Sequence, residues 1–486
     1  MAVKQGWELV IGLEVHAELA TETKLFCGCA NKFGAEPNTN VCPICVGLPG
    51  SLPVLNQKAV EYAMRVGLAL HCEIRPSIFS RKNYFYPDMP KDYQVTQYDL
   101  PLNSDGYLDL PNGTRIRVER AHMEEDTGKS THFGGTGRIQ GSEGSLVDYN
   151  RSGVPLVEIV SGPDLRNAED AKAYVAEMRG ILMATGASDG KMEEGSMRVD
   201  ANVSVRRSGE PFGKRCEIKN LNSLRSLVRA IEYEANRQID LIESGEKVMQ
   251  ETRHWSEADG RTSSMRSKEE AMDYRYFPEP DLVPLAPSAE WIAAVADALP
   301  PMPSDRRLTL AAATGWSVEV PSDGLGPNAD AVATVVEQDL DGLVQAVVAL
   351  GADARRAINR TANEIAAVGR EVWERLDPEA FAAVLGLEGD GRLTATQAKT
   401  VLAELLENGG DPVAIAAAKG FEALDTSVLE GLVDELIATH PTEFGRLRAG
   451  DPKVTGFFVG AAMKKSGGKA DGKAVTALLR ARAGLA

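Results

Sequence analysis

Four cysteines stand at a spacing suited to holding a metal ion. Cys27 and Cys29 are separated by one residue and Cys42 and Cys45 by two, and a loop rich in Gly, Pro and Asn joins the pairs in CGCANKFGAEPNTNVCPIC. Two thiolate pairs on turns can close a tetrahedral four-sulfur site, the arrangement zinc prefers. With all four positions filled by protein, such a site is structural rather than catalytic. The competing reading is four reduced thiols without an ion; a disulfide fits a cytoplasmic chain less well. Cys72 and Cys216 have no partner spacing and read as ordinary buried residues.

A second set of residues offers oxygen. Glu14 and His16 alternate along LVIGLEVHAEL, and Glu124, Glu125 and Asp126 are consecutive in RAHMEEDTGKSTH. Glu158 sits in VPLVEIV, Asp200 in MRVDANVSVR, and Glu217 near Lys219 in CEIKNLNS. Hard cations such as Mg²⁺ take carboxylates together with nucleotide phosphates, so acids gathered on one surface would make a platform for ATP and Mg²⁺. Any one of these acids is equally well read as a solvated charge. A third region, SRKNYFYPDMPKDYQVTQYDLPL, interleaves Arg81, Lys82 and Lys91 with Tyr84, Phe85, Tyr86 and Tyr93. Stacking faces beside cations suit a nucleotide base or single-stranded nucleic acid, and a packed aromatic loop with solvated charges explains the composition as well.

Some chemistry is excluded. Gly128-Lys129-Ser130 ends like a phosphate-binding P-loop, but that pattern needs glycine where Met123 stands. There is no G-x-S-x-G elbow and no Gly/Ser-rich amidase-type segment to supply a nucleophile for glutamine hydrolysis. His71, His132, His254 and His440 have no recognisable partner.

Strands must position the acids. In LVIGLEVHAEL, Leu9, Ile11, Leu13 and Val15 fall on one face and Gly12, Glu14, His16 and Glu18 on the other, the period of a half-buried strand. MRVDANVSVR repeats the pattern, with Met197, Val199, Ala201, Val203 and Val205 opposed to Arg198, Asp200, Asn202, Ser204 and Arg206. Helical spacing follows at Ala171, Tyr174, Val175, Met178, Ile181 and Leu182, and again at Leu224, Leu227, Val228, Ile231 and Ala235. Later the chain reads as helix alone. Ala398, Val401, Leu402 and Leu405 form one stripe that stops at Asn408-Gly409, and Leu429, Leu432, Val433 and Leu436 form another.

Composition agrees with two halves. All eleven tyrosines and all six cysteines of the 486 residues precede residue 280, and seven prolines between Pro278 and Pro303 separate them from an Ala-, Leu- and Val-rich remainder. The net charge is −17, which argues against coating nucleic acid by bulk charge. Residues 451–486 nevertheless carry seven Lys and Arg against two Asp, a net +5, which leaves −22 for the other 450 residues. Lys464, Lys465, Lys469 and Lys473 are therefore candidates for gripping phosphate, or for a solvated terminal helix. No stretch approaches the roughly 20 apolar residues of a membrane span and no signal peptide opens the chain, so the sequence reads as cytoplasmic.

Seven segments resemble the GatB family, whose members are one subunit of the aspartyl/glutamyl-tRNA(Asn/Gln) amidotransferases: VIGLEVHAEL, SRKNYFYPDMPKDYQ, RAHMEEDTGKSTH, VDYNRSGVPLVEIVSGPD, KMEEGSMRVDANVSVR, EIKNLNS and DYRYFPEPDLVPL. They span nearly the whole first half; the helical half is similar to that family more loosely. The resemblance implies an α+β chain. Residues 1–292 would form a catalytic cradle with a mixed or antiparallel sheet of glutamine-synthetase-like fold. An all-α domain would occupy 293–410 and a basic YqeY-like, tRNA-binding tail 411–486.

The implied reaction is ATP-dependent phosphorylation of the side-chain carboxylate of Glu-tRNA(Gln) or Asp-tRNA(Asn), followed by amidation with ammonia. The resemblance gives Glu14, His16, Glu124, Asp200 and Glu217 as Mg²⁺ ligands, Glu125 and Glu158 as substitutes, and Lys219 as a further catalytic residue. Arg81, Lys82, Tyr84, Tyr86, Lys91 and Arg151 would meet ATP or tRNA. Implied partners are an amidase subunit and a small third subunit in a heterotrimer, the misacylated tRNAs, and the matching nondiscriminating aminoacyl-tRNA synthetase. Two rival readings are a noncatalytic tRNA-binding scaffold and a stand-alone amide ligase for a small acid. The helical extension of some 200 residues, which a small substrate would not need, argues against the second.

Overall fold

The computed structural model describes residues 3–134, 142–267, 274–314, 329–421, 426–448, 451, 453–466, 470 and 472–484. The chain forms two compact units, Met1–Pro303 and Ser304–Ala486.

The first unit is built on a mixed sheet. Its strands are β1 (Glu8–Glu18), β2 (Glu73–Ile74), β3 (Ser80–Asn83), β4 (Tyr93–Thr96), β5 (Asn103–Asp109), β6 (Arg115–Glu125), β7 (Lys129–Phe133), β8 (Gly144–Asp148), β9 (Pro155–Ser161), β10 (Met197–Arg206), β11 (Cys216–Leu221), β12 (Glu251–Ser256), β13 (Arg261–Ser267) and β14 (Phe277–Pro278). Twelve of them form one sheet in the order β13-β12-β11-β10-β1-β9-β6-β4-β3-β14, with β5 on β6 and β2 on β5; β7 and β8 form a separate hairpin. Among the described residues β11 and β12 pair parallel and the other neighbours antiparallel.

The apolar face of β1 is buried as its alternation requires, with Leu9, Ile11, Leu13 and Val15 at 4% exposure or less, and Met197, Val199, Ala201, Val203 and Val205 continue that layer on β10. Four helices pack into the same core: α1 (Gln57–Ala69), α2 (Ala168–Ala184), α3 (Leu224–Glu243) and α4 (Ala289–Asp297). Asn56, Asn167 and Ser223 cap the first three by accepting backbone N–H groups that have no partner within the helix. One approach is too close for a side chain. A Cβ on Gly67 of α1 would lie 2.1 Å from Asn103 Oδ1. The Asn103 amide, fully buried, donates to Ala63 O at 3.1 Å and Ala121 O at 2.7 Å, joining α1, β5 and β6.

The second unit is helical throughout its described residues, from Pro303–Thr314 to Gly472–Ala483, apart from a turn of π-helix at Thr361–Ile365. Ala398, Val401, Leu402 and Leu405 are buried on Ala395–Asn408, which ends at Gly409 with φ +69°. Two apolar cores lie in this unit, one running from Leu310 to Ala416 and the other from Leu429 to Ala483. No helix among the described residues is long and apolar enough to cross a membrane.

Candidate active site

The polar face of the sheet carries a cavity of about 640 Å³. Register explains its floor. Glu14 lies directly across from Asp200 on β10, and Asn202, one pair along that face, lies across from Glu217 on β11. His16 faces Glu158 on β9, which in turn faces His122 on β6. Because cross-strand partners share a face, acids up to 203 residues apart in sequence become neighbours.

The carboxylates fall into two groups. In one, donor atoms of Glu14, Asp200 and Glu217 lie within 4.8 Å of one another; in the other, those of His16, Glu124 and Glu158 do. The five first-choice candidates divide between the two groups, and Glu158, named as a substitute, completes the second. Each group has a resident positive partner. Lys219 Nζ is 2.7 Å from Asp200 and 3.4 Å from Glu217, and His16 Nε2 is 3.4 Å from Glu158 and 3.8 Å from Glu124. Asn202 donates to Glu14 at 2.9 Å while its Oδ1 is buried without a donor, and Thr252 donates to Glu217 at 2.8 Å. Carboxylates at this spacing, with an unsatisfied acceptor beside them, fit a hard divalent cation.

Protonation follows from burial and neighbours. Burial opposes charge on His16, but its hydrogen bond to Glu158 and the charges of Glu158, Glu124 and Asp200 prevail and raise it to about 9. His122, buried without that balance, is lowered to about 4 and stays neutral. Burial and the charge of Glu158 push Glu124 up to about 7. Glu158 is held well below the usual carboxylate range despite burial, because the charged His16 bonds to it. Burial also works against charge on Lys219, yet Asp200 and Glu217 raise it.

The rim supplies cations and rings. Lys82, Arg120 and Arg215 line the cavity, Tyr98 stacks on Tyr276 with centroids 3.9 Å apart, and Lys82 Nζ lies 4.6 Å from the Tyr274 ring centre. Sequence reasoning missed Arg120, His122, Tyr274 and Tyr276. The signal was present for the first two, since Arg120, His122 and Glu124 alternate along β6 as Glu14 and His16 do along β1.

Other sequence candidates lie elsewhere. Glu125, one residue past Glu124, projects to the opposite face, where it pairs with Lys91 and accepts Val95 N at 2.9 Å. Arg81 is bound to Glu279 at 2.7 and 2.8 Å. Tyr84 and Tyr86 stack on each other at 4.5 Å. Arg151 lies 3.3 Å from Asp126 and donates to the carbonyls of Thr127 and Gly128. None of these six is among the residues lining the cavity. Lys464 and Lys465 close the helix Lys453–Lys465, where Lys465 meets Glu435 at 2.5 Å. Lys469 and the side chain of Lys473 lie outside the described residues.

The four cysteines converge. Cys45 Sγ is 3.5 Å from Cys27, 3.6 Å from Cys42 and 3.7 Å from Cys29. A tetrahedron with zinc–sulfur bonds of ~2.3 Å has sulfurs ~3.8 Å apart, so the set fits zinc with small adjustments. Its loop is tied to the end of β8 and the residues that follow: Asn38 N donates to Asp148 at 2.9 Å, Tyr149 N to Asn38 at 2.8 Å and Asn40 N to Asn150 at 2.8 Å.

The chain is similar to known proteins over nearly its whole length. Residues 9–293 match the model of the GatB/GatE catalytic domain, and 342–482 that of the GatB domain. A protein of Frankia casuarinae, named as the B-type subunit of an aspartyl/glutamyl-tRNA(Asn/Gln) amidotransferase, is 49% identical over 99% of this chain and 96% of its own length. Proteins of the same name from Myxococcus xanthus and Synechococcus elongatus are 48% and 47% identical, covering 98% and 97% of this chain and 98% and 96% of their own.

Proposed function

The chain belongs to the GatB family of tRNA-dependent amidotransferase subunits, and on that premise we propose that its cavity activates the side-chain carboxylate of Glu-tRNA(Gln), Asp-tRNA(Asn) or both. The observation that carries this reading is the pair of acidic groups on one sheet face, rimmed by Lys82, Arg120 and Arg215. A carboxylate is a poor electrophile, so it must first acquire a leaving group. One substrate oxygen attacks the γ-phosphorus of ATP, ADP departs, and an acyl phosphate remains. Ammonia then adds to the acyl carbon, phosphate leaves with the C–O bond electrons, and a proton is released to give the amide.

Within this scheme Glu14, Asp200 and Glu217 hold one Mg²⁺ and His16, Glu124 and Glu158 a second. When bound, Mg²⁺ offsets the charge of the transferred phosphoryl group. Lys82, Arg120 and Arg215 receive phosphate oxygens, and the Tyr98, Tyr274 and Tyr276 wall borders the space left for the nucleoside. His16, protonated and 3.4 Å from Glu158, keeps that carboxylate ionised, and neutral His122 faces it from β6. Cys27, Cys29, Cys42 and Cys45 hold a structural zinc. No amidase-type segment is recognisable in the sequence, and family resemblance assigns the supply of ammonia to an amidase partner, with a small third subunit joining the two.

The test combines this chain with its amidase partner and the small third subunit. Each misacylated tRNA is offered, with ATP and glutamine withheld in turn. ADP formation should require the misacylated tRNA; equal ADP formation with uncharged tRNA would overturn the assignment.

A further inference from the structure

Lys24 is 0% exposed, an unusual place for an ammonium group. Its Nζ donates to Asn40 O at 2.8 Å, to Tyr149 O at 3.4 Å and to Cys45 Sγ at 3.5 Å. Among the described residues no carboxylate oxygen lies within 4.0 Å of it; Glu125, on the same side of the sheet, is taken by Lys91. Two carbonyl dipoles do not balance a buried full charge, which needs an anion. Of its three described acceptors, the one that can carry a full negative charge is the sulfur of Cys45. Conversely, four thiolates around Zn²⁺ sum to −2, and a tetrathiolate at the edge of a protein core needs compensation of the opposite sign.

We propose that Lys24 is the built-in counter-ion of the four-cysteine zinc site, a positioning residue that retains the metal by offsetting half of the site's net charge. The inference rests on the zinc reading above. It also explains why the residue is a lysine rather than an apolar one of similar length. The side chain threads between the Asn40 loop, the Cys45 turn and the Tyr149 turn, so the same ammonium holds all three segments around the metal.

The test uses the full chain loaded with zinc, and follows release to a chromogenic chelator. Lys24→Met, which keeps length and removes charge, should release zinc on the order of 10- to 100-fold faster. Lys24→Arg, which keeps charge, should fall between Met and the unmutated chain. A Lys24→Met rate equal to the unmutated one, or an Arg variant no slower than Met, overturns the proposal. If the Met variant does not fold, the unmutated protein still decides: Lys24 should resist reductive methylation with zinc bound and react once zinc is removed. Equal labelling in both states overturns it. Zinc content separates the two failures. No zinc in the unmutated chain overturns both readings, whereas one zinc with unchanged release overturns only the role of Lys24.

Discussion

A proton competes with metal for the site at His16. Despite burial, the imidazole rises from 6.5 to about 9 because Glu158 and Glu124 surround it. That rise corresponds to ~3 kcal/mol favouring the protonated ring in the metal-free fold. A cation bound through His16 Nε2 must expel this proton. At pH 7, well below the folded value, the apparent affinity should be ~100-fold weaker than above pH 9, gaining about tenfold per pH unit between. Below pH 7 Glu124, raised to about 7, adds a second proton and steepens the slope.

The linked stability has the same origin. In the metal-free protein the His16 contribution is complete below pH ~6.5, where the unfolded ring is also protonated, and disappears as pH rises through about 9. Calorimetric titration of Mg²⁺ in buffers of different ionisation heat, from pH 6 to 9.5, measures both affinity and protons released. Nuclear magnetic resonance of labelled histidines gives the titration of His16 directly. Glu158→Gln, which removes its leading partner, should return the midpoint to 6.5 or below. Metal affinity independent of pH, no proton release, or a His16 midpoint near 6.5 in the unmutated protein would refute the reasoning.

Glu124→Ala and Asp200→Asn should each abolish tRNA-dependent ADP formation while leaving tRNA affinity within about twofold, as gel-shift titration would check. Metal analysis should find about one zinc per chain, and Cys45→Ser should lower that content because Cys45 touches the other three sulfurs. Gly67→Ala should cost about 1–3 kcal/mol, since its Cβ would meet Asn103 Oδ1 at 2.1 Å, and thermal unfolding would show the loss. Removing residues 426–486 deletes the apolar core that begins at Leu429 together with Lys464 and Lys465. It should weaken tRNA binding and flatten its salt dependence, and unchanged affinity at several salt concentrations would reject a role in gripping tRNA.

The sequence by itself determined which residue types were available and which face of each strand they occupied. Side-chain alternation is a local property: Leu9, Ile11, Leu13 and Val15 had to turn together into a core, leaving Glu14 and His16 on the other side. The four cysteines were legible for a similar reason, since both pairs lie within 19 residues and turn geometry alone brings them near. Tertiary structure decided who meets whom. Strand order and register place Glu14 against Asp200 and His16 against Glu158, and a slip of one residue would have turned every acid away. Alternation along β6 puts Glu124 with Arg120 and His122 and Glu125 with Ala121 and Met123, but only the packed sheet shows that the first face lines the cavity and that Glu125 meets Lys91. Lys24 carries no sequence signal at all. Its partners come from residues 40, 45 and 149, and only the packed chain brings a buried charge against a sulfur.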